Sequence, residues 1–388
     1  MPPWPSPGRE EIAAAEAVLR SGRLSYWTGE EVRSFEREYA EALGRGYAIA
    51  VANGTVALEL ALRAFGIGAG DEVVVPARTF IATASAVVAA GAKPVVADVD
   101  RESGNLAADA VRGALTERTR ALLPVHVGGW PADMGPLKAL AEERGLVVIE
   151  DCAQSHGASY RGRPVGAVGD AAAFSFCQDK ILPTGEGGML LLDDEAAHER
   201  AWAYKDHGKS LRKVSEPAYE RGGVSFRWLV DTFGTNWRLG ELEGALGRVG
   251  LRKLHDWSAL RRRNALRLAE GISGLPALRV PLPARDVRHA FYRLYAYVVP
   301  DELAAGWDRD RVAAAVAAEG VPCQYGTCAE IYREAAFAAA GLGPRERLPV
   351  AAELHDTQLA FLVHPTIEPE DVDDVIAAVA RVMGEASA

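Results

Sequence analysis

The chain is poor in cysteine and has no long apolar run. Its 388 residues contain 4 cysteines, Cys152, Cys177, Cys323 and Cys328, and no Cys-x-x-Cys pair, which argues against a structural zinc site. No segment approaches the roughly 20 apolar residues that span a bilayer. The start, Met1-Pro2-Pro3-Trp4-Pro5, lacks a basic region leading into an apolar run, so no signal peptide is expected. No Lys/Arg run offers a basic patch, and the formal charge of -10 argues against non-specific nucleic-acid binding. No His-Glu-x-x-His motif or comparable cluster calls for a metal. What remains is a reduced, cytoplasmic, soluble enzyme, with no metal, membrane or nucleic-acid partner expected.

Hydrophobic residues make up 49% and charged residues 25%, a globular mix, and the length favours two domains. From residue 47 to 195, short apolar runs alternate with helical patterns. Strands are expected at Tyr47–Ala52, Glu72–Val75, Pro94–Ala97, Ala121–Val125, Leu146–Glu150, Ala171–Phe176 and Gly188–Leu192. Several are continuous in apolarity, as in strands covered on both faces. Helices are expected at Val56–Phe65, Ile81–Ala90, Ala107–Leu115 and Met134–Arg144. The alternation predicts an α/β fold with a mostly parallel sheet. A long helix is expected over Glu241–Ile272, then a strand at Tyr292–Val299 and helices at Asp310–Glu319 and Pro369–Met383. The expected division is a large domain over residues 1–249 and a smaller α+β domain over 250–388. Gly66-Ile67-Gly68-Ala69-Gly70-Asp71 imitates a phosphate loop. It follows a helix and precedes a strand, the reverse of a dinucleotide fingerprint, so it reads as a turn.

Four polar clusters stand at strand ends or in loops, where ligands of open α/β sheets gather. Asn53-Gly54-Thr55-Val56 leads from a strand into a helix, whose free N–H groups suit a phosphate as well as they suit an ordinary cap. Asp151 ends an apolar strand, a costly place for an acid without a partner. A protonated pyridine nitrogen is such a partner; a capping or metal-binding aspartate is the plainer alternative. Gln154 and His156 follow, and a histidine in such a loop is most often structural. Ser175 precedes Cys177-Gln178-Asp179-Lys180 and the turn Thr184-Gly185-Glu186-Gly187-Gly188. A partly desolvated lysine there has a lowered pKa and attacks aldehydes, although most loop lysines are simply solvated. Asp231-Thr232-Phe233-Gly234-Thr235-Asn236-Trp237-Arg238 enters the long helix.

In combination and order, NGTVALELAL, PARTFIATASA, IEDCAQSHGA, FSFCQDK with TGEGG, and GTNWR resemble the DegT/DnrJ/StrS family of sugar aminotransferases, a fold-type I pyridoxal-phosphate group. The resemblance runs from Tyr26-Trp27-Thr28-Gly29 to the C-terminal helix. It implies a seven-stranded sheet in the large domain. It implies that Lys180 is the Schiff-base lysine and proton carrier, Asp151 the pyridinium partner and Gln154 the ligand of the ring hydroxyl. Ser175 and the backbone of Gly54, Thr55 and Val56 match the phosphate cup, and Phe80 matches the ring-stacking aromatic. Asn236 matches a residue that reaches the phosphate of a neighbouring subunit, which implies a homodimer with shared sites. Tyr26, Trp27, His207, Arg238 and Tyr325 are candidates for the substrate side. Val56, Ser85 and Trp237 depart from the frequent serine, asparagine and tyrosine, and the segment from Tyr325 to Tyr332 is unusual. Lysine rather than histidine at 180 favours amine transfer over dehydration. The implied reaction moves an amino group from glutamate or glutamine to a nucleotide-linked keto sugar, through a Lys180 internal aldimine and pyridoxamine phosphate. Arg238, Lys209 or Lys213 would cover a diphosphate. A keto-cyclitol acceptor is the near alternative, supported by Ile331-Tyr332-Arg333. A non-catalytic regulator on this fold and a metal hydrolase using Asp151 and His156 are the distant ones.

Overall fold

The computed structural model describes residues 1–216 and 228–387. Its centre is a seven-stranded sheet. In chain order the strands are β1 (Tyr47–Val51), β2 (Glu72–Pro76), β3 (Lys93–Ala97), β4 (Thr119–Leu122), β5 (Val147–Asp151), β6 (Ala171–Ser175) and β7 (Gly188–Leu192). The spatial order is β1-β7-β6-β5-β4-β2-β3. β7 pairs antiparallel with both β1 and β6, and the other pairings are parallel. Every residue of β2, β6 and β7 is buried, which is why their sequences read as unbroken apolar runs. The expected strand Ala121–Val125 instead ends at Leu122, because Pro124 has no N–H to give a ladder. The Gly66–Asp71 segment is a turn, with Gly66 and Gly70 at positive φ.

This topology gathers the chemistry. The parallel strands all point their carboxyl ends to one edge, and antiparallel β7 begins there. The residues after β1, β2, β5 and β6 therefore meet along one crevice, beside the start of β7.

The helix Glu241–Ile272 is continuous through the expected 249/250 boundary. Its first half carries Gly244, Gly247 and Gly250, three apart on one face. A Cβ on these would meet Val32, Phe35 and Leu182 at 2.8, 2.5 and 3.0 Å. This smooth face lets the helix Glu31–Leu43 and the segment after Lys180 approach closely. The second half packs on the helix Pro369–Ala386 and on a four-stranded antiparallel sheet made of Leu278–Arg279, Leu294–Val298, Cys323–Gln324 and Gln358–Phe361. The expected strand Tyr292–Val299 is shorter, Leu294–Val298, and the Tyr292 and Arg293 side chains before it reach Asp179. Among the described residues no helix is long and apolar enough to cross a membrane.

Candidate active site

The crevice begins at the helix Gly54–Ala64. Asn53 caps it, its side-chain oxygen accepting the Val56 N–H at 3.0 Å. That bond uses the Val56 N–H and leaves the Gly54 and Thr55 N–H groups at the helix start without an intrahelical partner. Gly54 lies against β6, where a Cβ would meet Ser175 Cβ at 2.7 Å. Gly188 is equally tight: a Cβ there would sit 2.4 Å from the Asn53 carbonyl carbon. Ser175 Oγ accepts the Cys177 N–H at 3.3 Å and borders the same cradle.

Asp151 ends β5 and is buried. Its Oδ2 accepts from Thr83 Oγ1 at 3.0 Å, its Oδ1 from the Ala153 N–H at 3.1 Å, and Thr83 is joined to Thr79 at 2.8 Å. Burial pushes the carboxyl above the usual range. The Ala153 N–H, the Thr83 hydroxyl, His126 and Lys180 pull the other way and do not cancel it. Such a carboxyl calls for a cationic partner. Thr79 lies in the bend before the helix Ala82–Ala89 and Thr83 in its first turn, and their hydrogen bond links the bend to Asp151 through Thr83. Gln154 accepts the Gly128 N–H at 2.7 Å with its carbonyl, which leaves its NH2 as the donating end. Phe80 is 66% exposed beside Thr79, an aromatic with an open face at the crevice.

Lys180 follows β6 in a turn closed by its own N–H to Cys177 O at 3.0 Å. Its side chain is 17% exposed, and Nζ lies 3.3 Å from Asp179 Oδ1. Nζ also stands 5.0 Å from the centroid of the Tyr292 ring. The expected lowering of its pKa is reversed. Burial lowers it, but Tyr292 and Asp179 outweigh burial and the value is raised. Trp4, far away in sequence, donates from Nε1 to the Lys180 carbonyl at 2.9 Å.

The outer candidates divide. Tyr26 is buried, with its hydroxyl 3.4 Å from Glu36 Oε2 and Lys205 Nζ 4.0 Å from its ring. Trp27 stands edge-on to Trp202, with Lys209 Nζ 4.3 Å from its ring. Arg238 pairs with Asp206 at 2.7 Å and Lys209 with the same oxygen at 3.0 Å, while Lys213 pairs with Asp231. All three cations expected over a diphosphate are thus engaged by acids of their own chain. His207 is exposed at positive φ, and Asn236 is exposed on the adjoining loop. Tyr325 is exposed, with Arg309 stacked 4.2 Å from its ring. The segment behind it is bound to the crevice, because Thr79 N–H donates to Cys328 O and Ile331 N–H to Ala77 O. Ile331 is buried, and Glu330 gathers Tyr332, Arg333 and Arg347.

The metal-hydrolase alternative fails on geometry. His156 Nε2 meets Ser175 O at 2.9 Å, which requires a proton on Nε2, and Nδ1 meets the Tyr39 hydroxyl at 2.9 Å. Neither nitrogen is available to a metal, and both Asp151 oxygens are hydrogen-bonded. A nearby trio, His126, Glu150 and Cys152, is similarly engaged. His126 Nδ1 accepts from Ala132, Nε2 meets Glu150 at 3.0 Å, and Glu150 also takes the Gly166, Val168 and Gly169 N–H groups.

A mixed, mostly parallel seven-stranded sheet with a capped helix start, a buried acid and a lysine at one edge is the frame of a fold-type I pyridoxal-phosphate enzyme. The sequence profile of the DegT/DnrJ/EryC1/StrS aminotransferase family matches residues 5–380, and the chain belongs to that family. It is 36% identical over 386 residues to the spore coat polysaccharide biosynthesis protein SpsC of Bacillus subtilis, covering 96% of this chain and 94% of that one. It is 42% identical over 278 residues to a dTDP-3-amino-3,4,6-trideoxy-alpha-D-glucose transaminase of Streptomyces venezuelae, covering 71% and 69%. The crystal structure of an aminotransferase from Psychrobacter cryohalolentis superposes with a TM-score of 0.95 at 46% identity, covering 99% and 98%. The protein is therefore an aminotransferase, and its cofactor is pyridoxal phosphate. The residues present fit that group. Gly54 leaves a cradle that a Cβ would fill, at a helix start suited to phosphate. Asp151 is a buried acid in need of a cation. Lys180 is a largely buried primary amine at the same edge.

Proposed function

We propose that the protein transfers an amino group from glutamate or glutamine to a nucleotide-linked keto sugar. The observation that carries this reading is the convergence of Gly54, Asp151, Ser175 and Lys180 at one sheet edge. The similarity to a transaminase named for a dTDP-amino sugar supports the sugar acceptor. Pyridoxal phosphate, when bound, supplies an electron sink for a carbanion at the amino-bearing carbon. The Gly54 and Thr55 N–H groups and Ser175 hold its phosphate. Asp151, fixed by Thr83 and Ala153, keeps the ring nitrogen protonated, and the Gln154 NH2 donates to the ring oxygen. Phe80 covers one ring face. Lys180 would hold the cofactor through Nζ and, once released, would move a proton from the donor carbon to the cofactor as base and then acid.

The reading includes a homodimer, with Asn236 reaching the phosphate of a second copy. The loop carrying it exposes Trp228, Val230 and Phe233, and exposed apolar side chains clustered together favour an interface. The reading also keeps residues 1–249 and 250–388 as the large and small domains. The deciding assay offers nucleotide-linked keto sugars and keto-cyclitols in parallel, with glutamate and with glutamine. Amination of the cyclitol alone would refute the sugar-nucleotide assignment.

A further inference from the structure

We infer that Asp179 is a positioning residue that, anchored by Tyr292 and Arg293, favours the protonated form of the Lys180 nitrogen at the edge of the cofactor site, whether that nitrogen is free or holds the cofactor. The inference rests on the reading of Lys180 as the cofactor lysine. Neighbouring side chains usually diverge, but the turn at Cys177–Lys180 brings these two together, with Nζ 3.3 Å from Asp179 Oδ1. The other oxygen, Oδ2, accepts the Tyr292 hydroxyl and lies 4.0 Å from Arg293 Nη2. Arg293 is itself held, its Nη1 donating to Tyr292 O at 3.1 Å and its guanidinium stacked 4.4 Å from the Tyr292 ring. One carboxylate thus has one oxygen for the lysine and one for its anchors.

The surroundings agree. Burial raises Asp179, but Lys180, Tyr292 and Arg293 outweigh it and the carboxyl is lowered, so it stays ionised. The charged and titratable groups facing the pair are Tyr292 and Arg293 from the segment before Leu294, Asp151 and His156 from β5 and its loop, and Arg261 from the long helix. His156 is neutral and Asp151 is committed to Thr83 and Ala153. Asp179 is therefore the acid that balances Lys180. A lysine that relays a proton must first lose one and then deliver it. Asp179 favours the delivering form. The transfer is of a proton alone: the Lys180 N–H bond breaks as a C–H bond forms, and Asp179 keeps its charge.

The test titrates the visible absorbance of the holoenzyme against pH, with kcat and KM profiles for glutamate, in wild type, D179N, D179E and Y292F. D179N should lower the absorbance midpoint by about one pH unit, since an opposite charge at this range favours the charged form by that order. The kcat profile should move the same way while KM stays level. Y292F should give a smaller shift of the same sign, and D179E should bring the midpoint back toward wild type. An unmoved midpoint in D179N, even with reduced kcat, would overturn the inference. So would a D179E midpoint no nearer wild type than that of D179N. Borohydride reduction and peptide mapping separate the two levels. A tag away from Lys180 refutes the cofactor lysine itself, whereas a tag on Lys180 with an unmoved midpoint refutes only the role of Asp179.

Discussion

Gly54→Ala sets two physical effects against each other. Alanine is the better helix former by about 1 kcal/mol, so local propensity alone predicts a more stable protein. Tertiary packing predicts the opposite. The new Cβ would lie 2.7 Å from Ser175 Cβ and 3.3 Å from Ser175 Cα. Carbon atoms in contact prefer about 3.5–4.0 Å, so the two segments must part by about 1 Å. Ser175 ends β6, which is paired on both sides and fully buried, so the helix start has to move. Overpacking of this kind costs about 1–3 kcal/mol, which exceeds the propensity gain. The displaced helix start also loses aim at the phosphate. One hydrogen bond to a charged group contributes about 1.5–3 kcal/mol, so cofactor affinity should fall about 10–100-fold. Thermal unfolding of the apoprotein reads the first effect, and an absorbance titration with pyridoxal phosphate reads the second. Ser175→Gly in the same chain removes the clashing atom and should restore the melting temperature without restoring the Ser175 hydroxyl contact. A G54A protein that melts at or above wild type and binds cofactor as tightly would refute the packing argument.

Three further outcomes follow from the same geometry. Asp151→Asn removes the charge while its one oxygen still accepts from the Ala153 N–H and its NH2 turns to donate to the Thr83 hydroxyl; steady-state assay should find kcat lower by about 10–100-fold, and near-normal kcat would remove Asp151 from the ring nitrogen. His156 is held neutral, its pKa pushed by burial from 6.5 to about 4. The unfolded chain therefore takes up the proton first as pH falls. The stability is complete above about pH 6.5 and is lost between there and about pH 4, by about 3 kcal/mol. Urea unfolding at both ends of that window should show the loss, and His156→Gln should reduce it. Finally, Asn236→Ala and Lys180→Ala chains, each impaired alone, should regain activity when mixed and refolded, because one site of the mixed dimer then has both native residues. No recovery, with mixed dimers present by mass spectrometry, would place Asn236 outside the partner's site.

Much of the site was readable because it depends on local pattern. Continuous apolar runs mark strands covered on both faces, and an acid or a glycine at the end of such a run stands out against its neighbours. Asp151 and Gly54 are of this kind, whereas Ser175 and Lys180 are singled out by the order and combination of the motifs around them. Asn53 stands with the first two, and it started its helix two residues earlier than the periodicity alone implied. The features that local pattern does not carry depend on what lies across space. The lysine was expected to be depressed by burial, but Tyr292, 112 positions away, and the adjacent Asp179 reverse that. Tyr26 is read in the sequence as either pocket lining or packing, and only the fold puts Lys205 and Glu36 against it. The acids that pair with Arg238, Lys209 and Lys213, namely Asp206 and Asp231, are set by the fold. The glycine stripe at 244, 247 and 250 carried no meaning until Val32, Phe35 and Leu182 lay against it. Spacing and side-chain chemistry define which segments are strands, where a helix is capped and which residues are reactive, because those are short-range properties of the chain. Strand order and helix docking define which charges meet, and an ionisable group takes its working state from those meetings.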